Sequence, residues 1–344
     1  MKNNPTKACF FIHNWRTLLL AYLVIEKLGY KQSECVAIAA RGFCPICRQL
    51  GFANIFDIEL YNFNIPYQYR QSMKMREELL QIAKNMKNFI RFCDILAIPH
   101  IRDPWMQLAV SVIPHKFICY IEEGCCFTRC QSSEYYKFTD LVMPDPGHYF
   151  YFANPGKSKY MVSNIPRFYG TLDNQDLVYN NVLLFDDISA KRCATKILKS
   201  LELDTKVFKA KSIIIIGTKD EASSPEYLNK TIKYAVELKG SGYNQVIYKP
   251  HPSWYSSIEE TSLNRMHFVG NNSNLILLSK GYPLDILLFS DFIPNDTKFI
   301  SENSSMLYGA FRLNYKAYKI PYYFTRDHLK DDLLSLKLEP IEII

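Results

Sequence analysis

The sequence predicts an α/β protein built from two doubly wound parallel sheets, one in each half of the chain. Three observations predict it. Short apolar runs alternate with longer stretches of helical period in both halves, the pattern of strand–helix–strand units. The best of these runs, Ser212–Ile216, is apolar on both pleats, as a strand covered by helices on both faces must be. At 344 residues, 48% of them hydrophobic, the chain is too long for one ordinary domain and has apolar material for two cores.

The elements follow in order. Residues 8–12 are the first strand, and a helix over 17–28 follows with Gly29 as its stop. Residues 35–40 form a second apolar run, and the charged amphipathic stretch 71–91 a long helix. Strands are expected at 94–99, 117–121 and 141–143. The polar, lysine-rich stretch 189–211 reads as the boundary, dividing the chain into domains 1–205 and 206–344. Beyond it, Ser212–Ile216 enters a Gly217-Thr218 loop, a helix is expected at 225–238 and a strand at 245–248. Residues 265–269, 285–289 and 298–300 continue the strand alternation, and 306–311 form a helix.

Charge and cysteine usage narrow the function classes. A formal net charge of +7 is spread along the chain, a mild bias toward anionic partners, with no nucleic-acid-binding signature. Ten cysteines lack the spacing of a secreted disulfide scaffold, so reduced cytoplasmic thiols are expected. Cys44-Pro-Ile-Cys47 with Cys125, Cys126 or Cys130 is a weaker candidate zinc set. The apolar run 18–25 ends at Glu26-Lys27, well short of a membrane span, and no cleavage site follows. The expected location is the cytoplasm, free or peripheral on the cytoplasmic face of the inner membrane.

Ligands of doubly wound sheets bind beyond the carboxyl ends of the strands, so motifs there carry the most weight. Tyr120-Ile121-Glu122-Glu123-Gly124 closes one strand. Two adjacent carboxylates raise one pKa by mutual repulsion, which suits a general base, although alone they read as an acidic turn. Tyr248-Lys249-Pro250-His251-Pro252 closes another, with prolines on both sides limiting the backbone that aims His251. Lys249 beside it suggests a nearby phosphate. Ser301-Glu302-Asn303-Ser304-Ser305-Met306-Leu307 follows a third, where Ser304 is a natural helix N-cap and the helix start an anion site. His13-Asn14 ends the first strand and is a candidate acceptor contact. His100 and His115 read as turn residues beside prolines, and Asp186-Asp187 as structural.

The ordered set of acidic pair with glycine, then His-Pro, then Ser-Ser, resembles the bacterial sialyltransferases and polysialyltransferases over about residues 117–311. Tyr282-Pro283-Leu284-Asp285 is similar to the acid-bearing stretch that precedes their Ser-Ser motif. The resemblance implies a GT-B glycosyltransferase: two Rossmann-like doubly wound domains facing across a cleft, the first holding the acceptor and the second the CMP-sugar. It implies an inverting transfer of sialic acid from CMP-sialic acid to a glycan of lipooligosaccharide or capsule. One of Glu122 and Glu123, Glu122 preferred, would be the base, with Gly124 letting the acceptor approach. His251 would stabilise or protonate the departing CMP phosphate, and Ser304 and Ser305 would hold it. Asp285 would touch the nucleotide, and Lys249, Pro252, Gly217, Thr218 and Lys219 would line the same pocket.

No cofactor is expected beyond the CMP-sugar co-substrate. One phosphate in the leaving group needs less charge neutralisation than two, and the chain has no Asp-x-Asp triplet, so no metal is expected either. Three alternatives stay open: a transferase for another CMP-activated nonulosonic acid or Kdo, a transferase of CDP-activated alditol phosphate, and a non-catalytic glycan-binding or capsule-assembly subunit.

Overall fold

In a computed structural model of the chain, the described residues are 6–61, 73–99, 104–121, 168–170, 182–184, 186–203, 206–218, 243–251, 275–279, 281–301, 304–319 and 339–340. The chain divides into two units, Met1–Glu202 and Leu203–Ile344.

Unit 1 opens with β1 (Thr6–Ile12), whose last five residues are buried, and α1 (Trp15–Leu28). Asn14 caps α1: its amide oxygen accepts from Thr17 N at 2.8 Å, while the Thr17 hydroxyl accepts from Asn14 N at 3.3 Å. That reciprocal pair satisfies two donors at the helix start. The helix ends at Gly29, whose φ of +67° lies in the left-handed region that a side chain resists. Every residue from 16 to 25 is buried, so α1 is covered all round rather than on one stripe. One cover is α5 (Asp187–Ser200), which packs on α1 and reaches Glu26 through Arg192.

The 189–211 stretch is therefore not a linker throughout. Ala190, Cys193, Ala194, Ile197 and Leu198 recur at helical spacing and are buried, with the lysines on the opposite face. Asp186 caps this helix by accepting from Ser189 N at 2.6 Å.

The remaining strands of unit 1 are β2 (Cys35–Ala39), β3 (Asn54–Asp57), β4 (Cys93–Ile98), β5 (His115–Ile121), β6 (Phe168–Gly170) and β7 (Val182–Leu184). All pairings are parallel, in the order β3-β2-β1-β4-β5-β6-β7. α2 (Phe43–Gln49) links β2 to β3. α3 (Met73–Phe89) and α4 (Pro104–Val112) cover one face, with Ile82, Met86, Met106 and Leu108 packed against Cys9, Phe11, Ile38 and Leu96. Cys9 and Phe11 share one pleat of β1, and Phe10 and Ile12 occupy the other. His115 begins β5, with a ring nitrogen bonded to the Ile113 carbonyl at 2.7 Å, as a residue of the strand and not of the turn.

Unit 2 repeats the plan. β8 (Ser212–Ile216) and β9 (Gln245–Lys249) are buried along their whole length. β10 (Leu275–Leu277) pairs parallel with β9, β11 (Lys298–Ser301) with β8, and β12 (Lys316–Lys319) with β11. β13 (Glu339–Pro340) adds an antiparallel edge, where a proline is tolerated because no further ladder bond is needed from its nitrogen. The order is β10-β9-β8-β11-β12-β13. Burying each of the four isoleucines of β8 contributes about 1.5–3 kcal/mol, so this strand anchors the unit.

The strand expected at 285–289 is instead helical. α6 (Leu284–Leu287) starts at Pro283, and Leu287 N and Leu288 N bond to the carbonyls four residues back, both at 3.0 Å. α7 (Ser305–Arg312) follows β11 as expected. The strands expected at 141–143 and 265–269 and the helix expected at 225–238 lie outside the described residues.

Candidate functional site

In both units the strand order reverses beside the first strand: between β1 and β4, and between β8 and β11. A crevice forms at such a point because the chain leaves the two strands in opposite directions.

In unit 2, three strand ends meet this crevice side by side: β9, β8 and β11. Adjacent strands are about 4.8 Å apart, so the three ends span roughly 10 Å. Gly217 and Thr218 follow β8. The Gly217 N–H is bound at 2.8 Å to the Lys249 carbonyl, continuing the ladder, and Thr218 is buried. Ser301, the last residue of β11, is fully buried and donates its hydroxyl to the Ile216 carbonyl at 2.8 Å. That bond ties the ends of β8 and β11 together where the order reverses. The sequence motif 301–307 points to Ser304 and Ser305, and the structure adds Ser301 to them. Its signal is positional: a hydroxyl in the final place of a strand that is otherwise apolar inward.

Ser304 caps α7. Its hydroxyl accepts from Met306 N at 3.3 Å, and its carbonyl accepts from Leu307 N at 3.1 Å. The first turn of α7 carries no acidic residue. A helix start of this kind presents N–H groups and the positive end of the helix dipole beside β11. Ser305 is the first residue of that helix.

Lys249 ends β9 and is 3% exposed. Its ammonium donates to the Pro250 carbonyl at 2.9 Å. Burial pushes its pKa down to about 8, against the opposing pull of the Asp285 carboxylate. Asp285 stands half-buried in the first turn of α6. His251, half-buried, follows Pro250 directly. Gly217, Thr218, Lys249, His251, Asp285, Ser304 and Ser305 thus all belong to unit 2, most of them at its carboxyl strand ends.

In unit 1, His13 follows β1 and is 3% exposed. Its ring stands edge-on to Phe11. Asn14 fixes its tautomer. The Asn14 amide oxygen is held by Thr17 N, so the amide nitrogen is what faces His13 Nε2 at 3.3 Å. Nε2 must accept, which places the proton of the neutral ring on Nδ1. Arg16, in the first turn of α1, is 5% exposed. Its signal in the sequence is a lone arginine opening a long apolar run, a pattern that names no role by itself.

Glu122, Glu123, Gly124, Lys219 and Pro252 lie outside the described residues. So do Cys125, Cys126 and Cys130. Among the described residues no group of His, Cys, Asp and Glu forms a metal site. Cys44 and Cys47 are free thiols, and burial together with Asp57 pushes both pKa values up. Among the described residues no helix is long and apolar enough to cross a membrane.

Two doubly wound parallel sheets in succession, each reversing order beside its first strand, place the chain in the α/β class of GT-B-like folds. No family model matches it, and no curated protein is similar to it. Among solved structures it is similar to the UDP-GlcNAc 2-epimerase of Neisseria meningitidis bound to UDP-GlcNAc. The two share 10% identity over 92% of this chain and 83% of the other, with a TM-score of 0.49. For the UDP-GlcNAc 2-epimerase of Methanocaldococcus jannaschii the values are 9%, 90%, 82% and 0.46. For the E. coli heptosyltransferase WaaC with ADP they are 9%, 90%, 85% and 0.44.

Proposed function

We propose that the chain is an inverting, metal-independent glycosyltransferase that moves sialic acid from CMP-sialic acid to a hydroxyl of a surface glycan. One observation carries the reading: the His-Pro and Ser-Ser motifs follow strands on either side of β8, at the end of the sheet where ligands of such folds bind. A monophosphate lodged there would meet the start of α7 on one side and His251 on the other.

In this reaction Glu122, or Glu123 beside it, takes the proton of the acceptor hydroxyl as its oxygen attacks the anomeric carbon. The bond from that carbon to the phosphate oxygen breaks, and its electron pair leaves with CMP. His251 donates a proton or hydrogen bond to the departing phosphate, and Ser304 with the N–H groups of the α7 start holds it. Attack opposite the leaving group turns a β-linked donor into an α-sialoside. Fixed donors aimed at a developing anion do this work without a metal.

The test incubates the protein with CMP-Neu5Ac and an array of galactosyl and sialyl acceptors and weighs the products. Transfer is expected, and His251→Ala and Glu122→Ala each lower it by about 100-fold or more, the usual range for a lost general acid or base. Wild-type rates in both variants would remove these roles. Consumption of a different CMP-sugar would move the reading to another nonulosonic acid. CMP-sugar bound but neither transferred nor hydrolysed would favour a glycan-binding or capsule-assembly subunit.

A further inference from the structure

The proximity of Lys249 to His251 in the sequence suggests a second cation for the phosphate, but the structure turns that ammonium inward. We propose that Lys249 is a positioning residue for His251, its buried ammonium holding the Pro250–His251 peptide rather than touching the substrate. The proposal rests on the reading of His251 given above and deepens it.

Lys249 is 3% exposed and its ammonium bonds in a buried position, where a charge persists only if hydrogen bonds and a counter-charge replace its water. Lys249 finds the Pro250 carbonyl at 2.9 Å and the charge of Asp285. That carbonyl belongs to the peptide group whose nitrogen is His251's own, so the bond fixes the plane from which the His251 side chain departs. Two further restraints act on the same dipeptide. The Pro250 ring locks its own φ, and a proline at position 252 keeps residue 251 out of the helical region. Lys249's own carbonyl is tied to Gly217 N at 2.8 Å, so the anchor is itself fixed to β8. One residue thus couples the end of the neighbouring strand to the peptide that carries the imidazole.

The anchor titrates. Among the described residues Asp285, on α6, is a charged group acting on Lys249. β8 brings Gly217 and Thr218 to this end and β10 brings Leu278 and Ser279, none of which ionises in the working range. Burial lowers the ammonium to about 8, so it is charged below that pH and loses its proton above it. As a neutral amine it attracts the carbonyl far less, because charge-assisted hydrogen bonds are about twice as strong as neutral ones.

The test uses the full chain, with ring-labelled histidine and Lys249→Met and Lys249→Arg variants. His251 is assigned from the signal lost in His251→Gln. The wild-type His251 ring signal is expected to show an inflection near pH 8 that is absent in Lys249→Met and in Lys249→Arg, since arginine stays charged. In transfer assays Lys249→Met lowers kcat by about tenfold or more with the donor KM within about twofold, and Lys249→Arg restores part of kcat, as expected of lost positioning and not lost binding. The wild-type kcat falls as pH rises through about 8, and neither variant shows that limb. A raised donor KM with kcat kept would make Lys249 a substrate ligand and overturn the proposal. An unchanged His251 signal in Lys249→Met would overturn it too. Should the protein transfer no sugar, the ring signal still decides whether Lys249 positions His251, so the two readings fail separately.

Discussion

Lys249 keeps a cation where little water reaches it, and the consequence is measurable as stability. Its folded pKa of about 8 lies below the usual 10.5, so between those values the unfolded chain holds a proton that the folded chain lacks. Stability attributable to this group therefore rises with pH across that window and is lowest below it, where both states are charged. Against Lys249→Met, the wild type should gain on the order of 3 kcal/mol in urea unfolding between about pH 7 and about pH 10. A constant gap between the two proteins would show that the ammonium is not buried as described. In the sequence Lys249 stands beside His251 and suggests a nearby phosphate, and in the structure its ammonium donates to the Pro250 carbonyl. A motif states which residues are adjacent in the chain, but not which way a flexible four-carbon stem turns.

The elements show where sequence patterns hold and where they mislead. Ser212–Ile216 was legible because four consecutive isoleucines, apolar on both pleats, admit little besides a covered strand. Residues 285–289 misled because a short apolar run fits a strand and a buried helix equally well, and Pro283 with its two carbonyl bonds decided for the helix. α5 was hidden by its own lysines, which obscure the spacing of Ala190, Cys193, Ala194, Ile197 and Leu198. β6 and β7 have three residues each, too few to show any period. The cap of α1 gives a prediction at this scale. Asn14→Ala removes the acceptor for Thr17 N and should cost about 1 kcal/mol, lowering the melting temperature by roughly 2–4 °C. It also removes the amide that faces His13 Nε2, so the His13 ring signal should move in the same variant. An unchanged melting temperature would mean that water replaces the cap.

At the scale of the whole molecule, buried thiols set the alkaline limit. Burial holds Cys35, Cys47 and Cys193 at about 12 and Cys9 well above the usual 9. Raised folded pKa values give stability that is complete below pH 9 and lost as the pH climbs, because the unfolded chain ionises first. Four such groups outweigh the opposite trend of Lys249, so the urea midpoint should fall between about pH 8 and about pH 10. A midpoint that holds or rises would contradict that burial.

The residues proposed to hold the phosphate are set by the sheet order of unit 2, whereas the acidic pair follows β5 in the sequence of unit 1. What the account needs first is that a cytidine monophosphate binds at the strand ends of unit 2. Calorimetric titration of CMP into the wild type, His251→Ala and Ser304→Ala measures this directly. The account predicts binding to the wild type and about a tenfold or greater loss in Ser304→Ala, the cost of one hydrogen bond to a charged group. Absent binding, or equal affinity in all three proteins, would contradict it.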